Sequence, residues 1–467
     1  MILFKNIIIL FFTILLVYSC KKPIPEPEKP IDENQNKPKE DTVEVVKPIP
    51  KYFEENSWIY KTMKENYLWE NKMPKEEDTD KNLEPLAYFN TLTNSPTHED
   101  WVSYMSMDKQ EIFDFWGGHM ISFGFKFRKE KKEDGSIQLA VSLVFKESPA
   151  QKGNLWRGDV IVKINGSVIN ENNLESLLNS PVGTFECLDT DGNLKTLNLT
   201  KEKFQINPFE VAHTIELGNK KIGYFCFTQF LPNIDDQLRT VFNKFKNDKV
   251  DEFVLDLRFN PGGFTPNTEV FISHFVNSPS PDAKMYYTKW NTNRTDFYQK
   301  AEGPTAGIRK FTQETGNLGH LKRLFVLTSK SSASSSEMVI NCLRPFMEVI
   351  VIGDNTYGKN LISNIFTDET GKFPYALMPA YTYMFNIKDE SDYGTKLGFK
   401  PDHKIEDNIL PFYPLGNVNE TLLKKAVEII AQRNIARNPE IPFREVNFAD
   451  RFHHHDTGKA FNTKINP

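Results

Sequence analysis

Cysteine is scarce in this chain: four in 467 residues, Cys20, Cys187, Cys226 and Cys342, with no CxxC pair. That spacing excludes a zinc knuckle and a disulfide scaffold. A basic excess is also missing. The 57 Lys and Arg stand against 62 Asp and Glu, a net charge of −5, so nothing global points to nucleic acid or anionic lipid as a partner. No nucleotide loop, internal repeat or nucleic-acid module is legible, and no cofactor and no metal are expected. What is present, at 39% apolar and 25% charged, is a globular composition with length for two or three domains.

The first residues read as targeting sequence. Lys5 supplies positive charge, Ile7 to Val17 is almost wholly apolar, and Val17-Tyr18-Ser19-Cys20 ends the run with a cysteine after a small residue. The run is short for a membrane span. It resembles a bacterial lipoprotein signal, which implies a signal peptide over 1–19, lipidation of Cys20 and attachment of the mature N-terminus to a membrane. Residues 20–50 are dominated by Lys, Glu, Pro, Asp and Asn, cannot bury enough surface to offset ordering entropy, and are expected to form an extended tether. The three remaining cysteines are expected to be buried thiols.

Residues 51–112 predict a small aromatic-rich helical domain. Trp58, Ile59, Met63 and Tyr67 recur at helical spacing with Asn56 as the expected N-cap, and Leu86, Tyr88 and Phe89 mark a second helix. Residues 113–202 are richer in strand and turn signals. Within them SPAQKGNLWRGDVIVKING, from Ser148 to Gly166, resembles the core of a PDZ domain of the bacterial protease type. The resemblance implies a peptide-binding groove at Phe123, Gly124 and Phe125, whose backbone N–H groups would receive a peptide carboxylate while the peptide adds as a strand.

From residue 203 to 435 the texture is α/β. Lys221 to Phe227 reads as a strand, and Asn233 is the expected cap of a helix with Leu238, Val241, Phe242 and Phe245 on one stripe. Phe253 to Arg258 is a buried strand, and Asn260-Pro261-Gly262-Gly263 is a sharp turn whose glycines let backbone N–H groups approach a ligand. Leu324 to Leu327 is another buried strand, followed by the cluster Ser331, Ser332, Ser334, Ser335 and Ser336 and a helix closed by Pro345. Val349 to Ile352 then returns as a neighbouring strand, and its loop carries Gly358-Lys359. A hydroxyl at a helix N-terminus with an amine nearby is an arrangement for nucleophilic catalysis, because dipole and free N–H groups favour developing negative charge. Residue chemistry alone leaves the choice among the serines open.

DLRFNPGG, SSASSSEMV and IGDNTYGK, in that order behind a PDZ-like stretch, resemble the C-terminal processing, or tail-specific, serine peptidase family. The lipidated, aromatic-helical N-terminus is similar to its Bacteroidetes-type lipoprotein branch. The resemblance implies an α/β fold, a crotonase- or ClpP-like protease core preceded by a PDZ-like β-rich domain and a small helical N-terminal domain. It also implies a Ser-Lys dyad cleaving proteins or peptides in the cell envelope. The family spacing, three residues before Glu337 and twenty-five before Lys359, makes Ser334 the nucleophile and Lys359 the base. Ser335, with Gly262 or Gly263, would supply the oxyanion-hole N–H groups. Ser363 stands where many members carry a glutamine that holds the lysine, and Ser335 replaces the usual alanine. The competing expectation is a peptide-binding lipoprotein without catalysis. Residues 436–467 form a polar tail in which His453-His454-His455 is read as solvated rather than metal-binding.

Overall fold

In the computed structural model the described residues are 49–95, 98–277, 282–407 and 412–435. The signal, Cys20, nearly all of the tether and the tail with its histidines lie outside them. The described residues from Pro50 onward pack as one unit.

The β-branched and aromatic runs after residue 208 assemble a six-stranded sheet. Its order is Phe209–Leu217, Lys220–Phe227, Glu252–Asp256, Arg323–Thr328, Glu348–Gly353, His403–Lys404; the first pair is antiparallel and the rest parallel. Alternation along each strand explains the two layers that cover it. Phe225, Phe227, Phe253, Leu255, Leu324 and Val326 face one core, shared with Leu238, Phe242 and Phe245 of the helix Asp235–Asp248 and with the helix Ser335–Leu343. Tyr224, Cys226, Val254, Phe325 and Leu327 face the other, which Leu422, Leu423, Ala426, Val427 and Ile430 of the C-terminal helix Thr421–Ile435 complete.

The β-rich segment builds a sheet in the order Leu194–Thr200, Val182–Leu188, Val160–Ile164, Ile137–Val144, Phe125–Lys131, around its own core. It is also welded to the α/β layer, since Leu143, Phe145, Phe204 and Ile206 sit in the same cluster as the C-terminal helix.

The N-terminal helices Phe53–Asn66 and Pro85–Thr93 do not close a core alone. Ile59, Met63, Tyr67, Tyr88 and Phe89 pack with Leu361, Leu377 and Ala380 from beyond the lysine loop, and strand Tyr104–Ser106 pairs with Ala376–Met378.

Three local expectations are corrected. Asn56 is not an N-cap: the helix begins three residues earlier, and the buried Asn56 amide donates to Lys81 O and Leu83 O at 3.1 and 2.8 Å. Asn233 takes φ 61° in the turn, and the helix starts at Asp235. The boundary at 112 falls inside a helix, Lys109–Trp116, which Asp108 caps by accepting from Gln110 N–H.

Candidate active site

Three adjacent parallel strands release their loops on one edge of the sheet. Glu252–Asp256 leads into the glycine turn, Arg323–Thr328 into the serine turn, and Glu348–Gly353 into the loop with Lys359. The carboxyl ends of neighbouring parallel strands meet in space, which is where open α/β sheets place ligands. Asn260 ties two of the loops: its carbonyl accepts Ala333 N–H at 3.2 Å and Ser336 Oγ at 2.8 Å, while its side chain donates to Phe227 O at 2.9 Å.

Ser334 is the residue before the helix Ser335–Leu343 and holds φ 54°, ψ −112°. A β-carbon residue is strained there, and such strain persists only where surrounding bonds over-determine it. The other hydroxyls of the cluster are committed to structure: Ser332 to Leu257 O at 2.9 Å, Ser335 to Gly263 O at 3.1 Å and Ser336 to Asn260 O at 2.8 Å. Ser331 is exposed. The Ser334 hydroxyl donates to no acceptor among the described residues.

Glu337, used in the sequence only as a ruler, is fully buried and joins the nucleophile turn to the lysine loop. Its Oε2 accepts Ser334 N–H at 2.9 Å and Lys359 N–H at 2.8 Å; its Oε1 accepts Gly358 N–H at 2.7 Å and Thr356 Oγ1 at 2.6 Å. Burial pushes this carboxyl up to about 7 against the pull of those donors. The signal that could have found it was the Ser-x-x-Glu capping pattern at the helix start.

Lys359 is partly buried, and among the described residues its ammonium nitrogen has no hydrogen-bond partner. Burial brings its amine down to about 8, opposed by the charges of Asp100 and Glu337. No hydrogen bond joins Ser334 Oγ to Lys359 Nζ. Ser363 ends the short strand Leu361–Ser363, and its buried hydroxyl likewise has no hydrogen-bond partner, the amine included.

The glycine turn resolves an alternative. Gly262 N–H donates to Asn260 Oδ1 at 2.8 Å and is therefore occupied. Gly263 N–H has no acceptor among the described residues, while Phe230 bonds on either side of it, to Gly262 O at 3.0 Å and from Phe264 N–H at 2.7 Å. A β-carbon on Gly262 would stand 2.9 Å from Ser334 Cβ and 3.0 Å from Ser335 N, so the turn lies directly against the nucleophile. The orphan N–H of Ser335 at the first turn of its helix and that of Gly263 are the available donors here.

In the β-rich domain, Phe123 and Phe125 are core side chains, and Gly124 sits at φ 90° with its carbonyl accepting Phe145 N–H at 3.2 Å. Neither phenyl ring is exposed there. Cys187, Cys226 and Cys342 are buried free thiols.

Tyr357, which the sequence places in the wall around the lysine, donates its hydroxyl to Trp101 O at 3.3 Å. Sequence reasoning missed Asp100, which comes from the N-terminal segment, more than two hundred residues before the lysine, and which no short motif marks.

The chain matches the Peptidase family S41 over residues 221–405 and the Peptidase S41 N-terminal domain over 54–104. It is 22% identical to a CtpA-like serine protease of Staphylococcus saprophyticus over 334 residues, 68% of this chain and 62% of the relative. To the carboxy-terminal processing protease CtpB of Bacillus subtilis it is 26% identical over 265 residues, 55% of this chain and 51% of the relative. It thus spans less than two thirds of the length of these curated relatives. A solved S41 protease from Bacteroides fragilis superposes with TM-score 0.68 at 25% identity, over 80% of this chain and 97% of that one.

Proposed function

Because this chain belongs to peptidase family S41, we propose that it is a serine peptidase of the C-terminal processing type, hydrolysing proteins or peptides with Ser334 as nucleophile and Lys359 as general base. The observation that carries this reading is the Glu337 carboxylate, which bonds the backbone of both Ser334 and Lys359 and so fixes, at one edge of the sheet, a hydroxyl that donates to no acceptor and an amine without a hydrogen-bond partner among the described residues.

Lys359 Nζ, neutral, takes the Ser334 proton as Oγ attacks the scissile carbonyl. The oxyanion that forms is met by the N–H groups of Ser335 and Gly263, a role whose loss typically costs about 100- to 1000-fold. The resulting ammonium then gives its proton to the leaving amine, and a water, activated by the same amine, releases the acyl group. A peptide-binding protein without catalysis has no use for an amine whose charged form is disfavoured by burial, and the catalytic reading accounts for it.

The remaining parts take supporting roles in this reading. The PDZ-like domain presents substrate C-termini through the backbone at Phe123, Gly124 and Phe125. Lipidation at Cys20 holds the enzyme in the cell envelope at the end of its tether. The deciding experiment is peptide hydrolysis by the full chain beside Ser334→Ala, with covalent labelling by a fluorophosphonate. Loss of turnover and of labelling in a folded variant is expected; full turnover would end the assignment. Fractionation of Cys20→Ser tests the anchor, which fails if the parent chain is already soluble.

A further inference from the structure

The lysine loop is not closed by the α/β layer alone. A short segment before the strand Tyr104–Ser106 is clamped onto it. Tyr357, two residues before the lysine, donates its hydroxyl to Trp101 O at 3.3 Å. Ser103 Oγ accepts Ala380 N–H at 2.8 Å, and Ala380 is the strand partner of Ser363. The same Ala380 offers its carbonyl to Leu68 N–H at 2.8 Å, so the N-terminal helices are tied to that point as well.

Asp100 begins the clamped segment. Its side chain is 8% exposed, and Oδ1 accepts the N–H groups of Val102 and Ser103 at 2.8 and 3.0 Å. These bonds fix the carboxylate and leave Oδ2 buried with no hydrogen bond of good geometry, the Tyr67 phenol being the group that faces the same carboxylate. A buried carboxylate oxygen without a well-formed hydrogen bond is costly and calls for an explanation. Two other groups in this neighbourhood have no hydrogen-bond partner among the described residues: the buried Ser363 hydroxyl and the amine of the half-buried Lys359. An acceptor-only oxygen, a hydroxyl and a three-donor amine are complementary in hydrogen-bonding capacity.

Resting on the Ser334–Lys359 reading, we propose that Asp100 is the positioning residue for Lys359: its second carboxylate oxygen, with Ser363 Oγ, holds the amine and stabilises the ammonium formed when Ser334 loses its proton. The base is then completed by the N-terminal segment, and a chain in which residues 54–104 have not docked lacks it. The charged and titratable groups around the amine are Asp100, Glu337 and Tyr357, with the Tyr67 phenol against Asp100 from the N-terminal helix and held neutral by its burial. The Asp100 charge is the strongest of those that favour the ammonium, ahead of Glu337, while burial acts the other way. The Tyr357 phenol is pushed up to about 12 by burial and stays neutral.

The test compares Asp100→Asn and Asp100→Glu with the parent in the full chain. In Asp100→Asn kcat is expected to fall by about 100-fold with KM little changed, as for the loss of a group that acts in proton transfer. The acid limb of the rate profile moves to lower pH by about one unit, because a negative charge that raised the amine has gone. Asp100→Glu keeps the charge and restores the position of the limb. A merely structural role would lower the amount of folded enzyme without moving the limb. Where Asp100→Asn folds poorly, Asp100→Ser replaces it, since its hydroxyl can still accept the Val102 and Ser103 N–H groups but carries no charge; an acid limb unmoved in that folded variant overturns the proposal. An unchanged kcat and limb in folded Asp100→Asn does the same. If Ser334→Ala is as active as the parent, it is the dyad that fails.

Discussion

Lys359 has its acidity set by opposing effects, and the sign of each gives a measurement. Burial disfavours the ammonium and brings the amine down to about 8, while Asp100 and Glu337 pull it back up. As a base the amine works when neutral, so cleavage rises with pH through that value and levels off above it. Lys359→Arg is inactive throughout, since a guanidinium stays charged. A flat profile from about pH 6 to about pH 9 would remove the lysine from the proton transfer. The same shift bears on folding. A lysine lowered in the folded state carries its full burial cost below pH 8, and that cost fades as pH rises toward the ordinary value of 10.5. Lys359→Met, which keeps the chain length without the charge, is therefore expected to stabilise at pH 7 by about 1–2 kcal/mol, discounted for partial exposure. Urea unfolding at pH 7 and again near pH 10 checks it: the gain shrinks at the higher pH.

The turns at the ends of apolar strands were the elements most legible in the sequence. Asn260-Pro261-Gly262-Gly263 and the serine cluster are local patterns, and each sits at the end of an apolar strand whose identity is also local. Which glycine offers its N–H was not legible, because it depends on where the Asn260 side chain bonds. The caps expected at Asn56 and Asn233 failed for a related reason. Asn56 is drawn inward by carbonyls at Lys81 and Leu83, and Asn233 is used for its tolerance of positive φ. The glycine turn carries its own prediction. At φ 101° Gly262 has no room for a side chain, since a β-carbon would lie 2.8 Å from Ala333 O and 2.9 Å from Ser334 Cβ. Gly262→Ala forces the nucleophile turn away from the glycine loop. The expected result is a loss of kcat of about 100-fold or more, since small displacements of reacting groups are this costly. Circular dichroism and melting should show the sheet retained. Activity within twofold of the parent would mean the turn is not aligned with the nucleophile.

At the scale of the whole molecule, the β-rich domain, the glycine-loop strand and the C-terminal helix converge on one buried carboxylate. Glu420 heads that helix, accepting Leu423 N–H at 3.0 Å, and receives Arg258 Nη1 at 2.5 Å and Nη2 at 2.8 Å. Arg157 reaches it from the β-rich domain at 3.2 Å, and also donates to Tyr413 O at 2.8 Å and to Ser142 O. Asp256 and Asp407 complete the group through Arg258, at 2.8 and 3.0 Å. Burial would raise the Asp407 carboxyl, but the guanidiniums of Arg258 and Arg157 hold it below its ordinary value. Two cations thus face three buried anions, and removing one cation leaves negative charge uncompensated in the interior. Breaking a buried pair from one side costs about 3–5 kcal/mol. Arg157→Met is therefore expected to lower the melting point of the protein in a single transition, because the residue supports the core helix and the Arg258 strand as well as its own domain. Calorimetry is the measurement. A separate low-temperature transition, or no change, would instead describe a β-rich domain that hangs on the core without sharing its stability, which the cluster of Leu143, Phe145 and Phe204 with the C-terminal helix argues against.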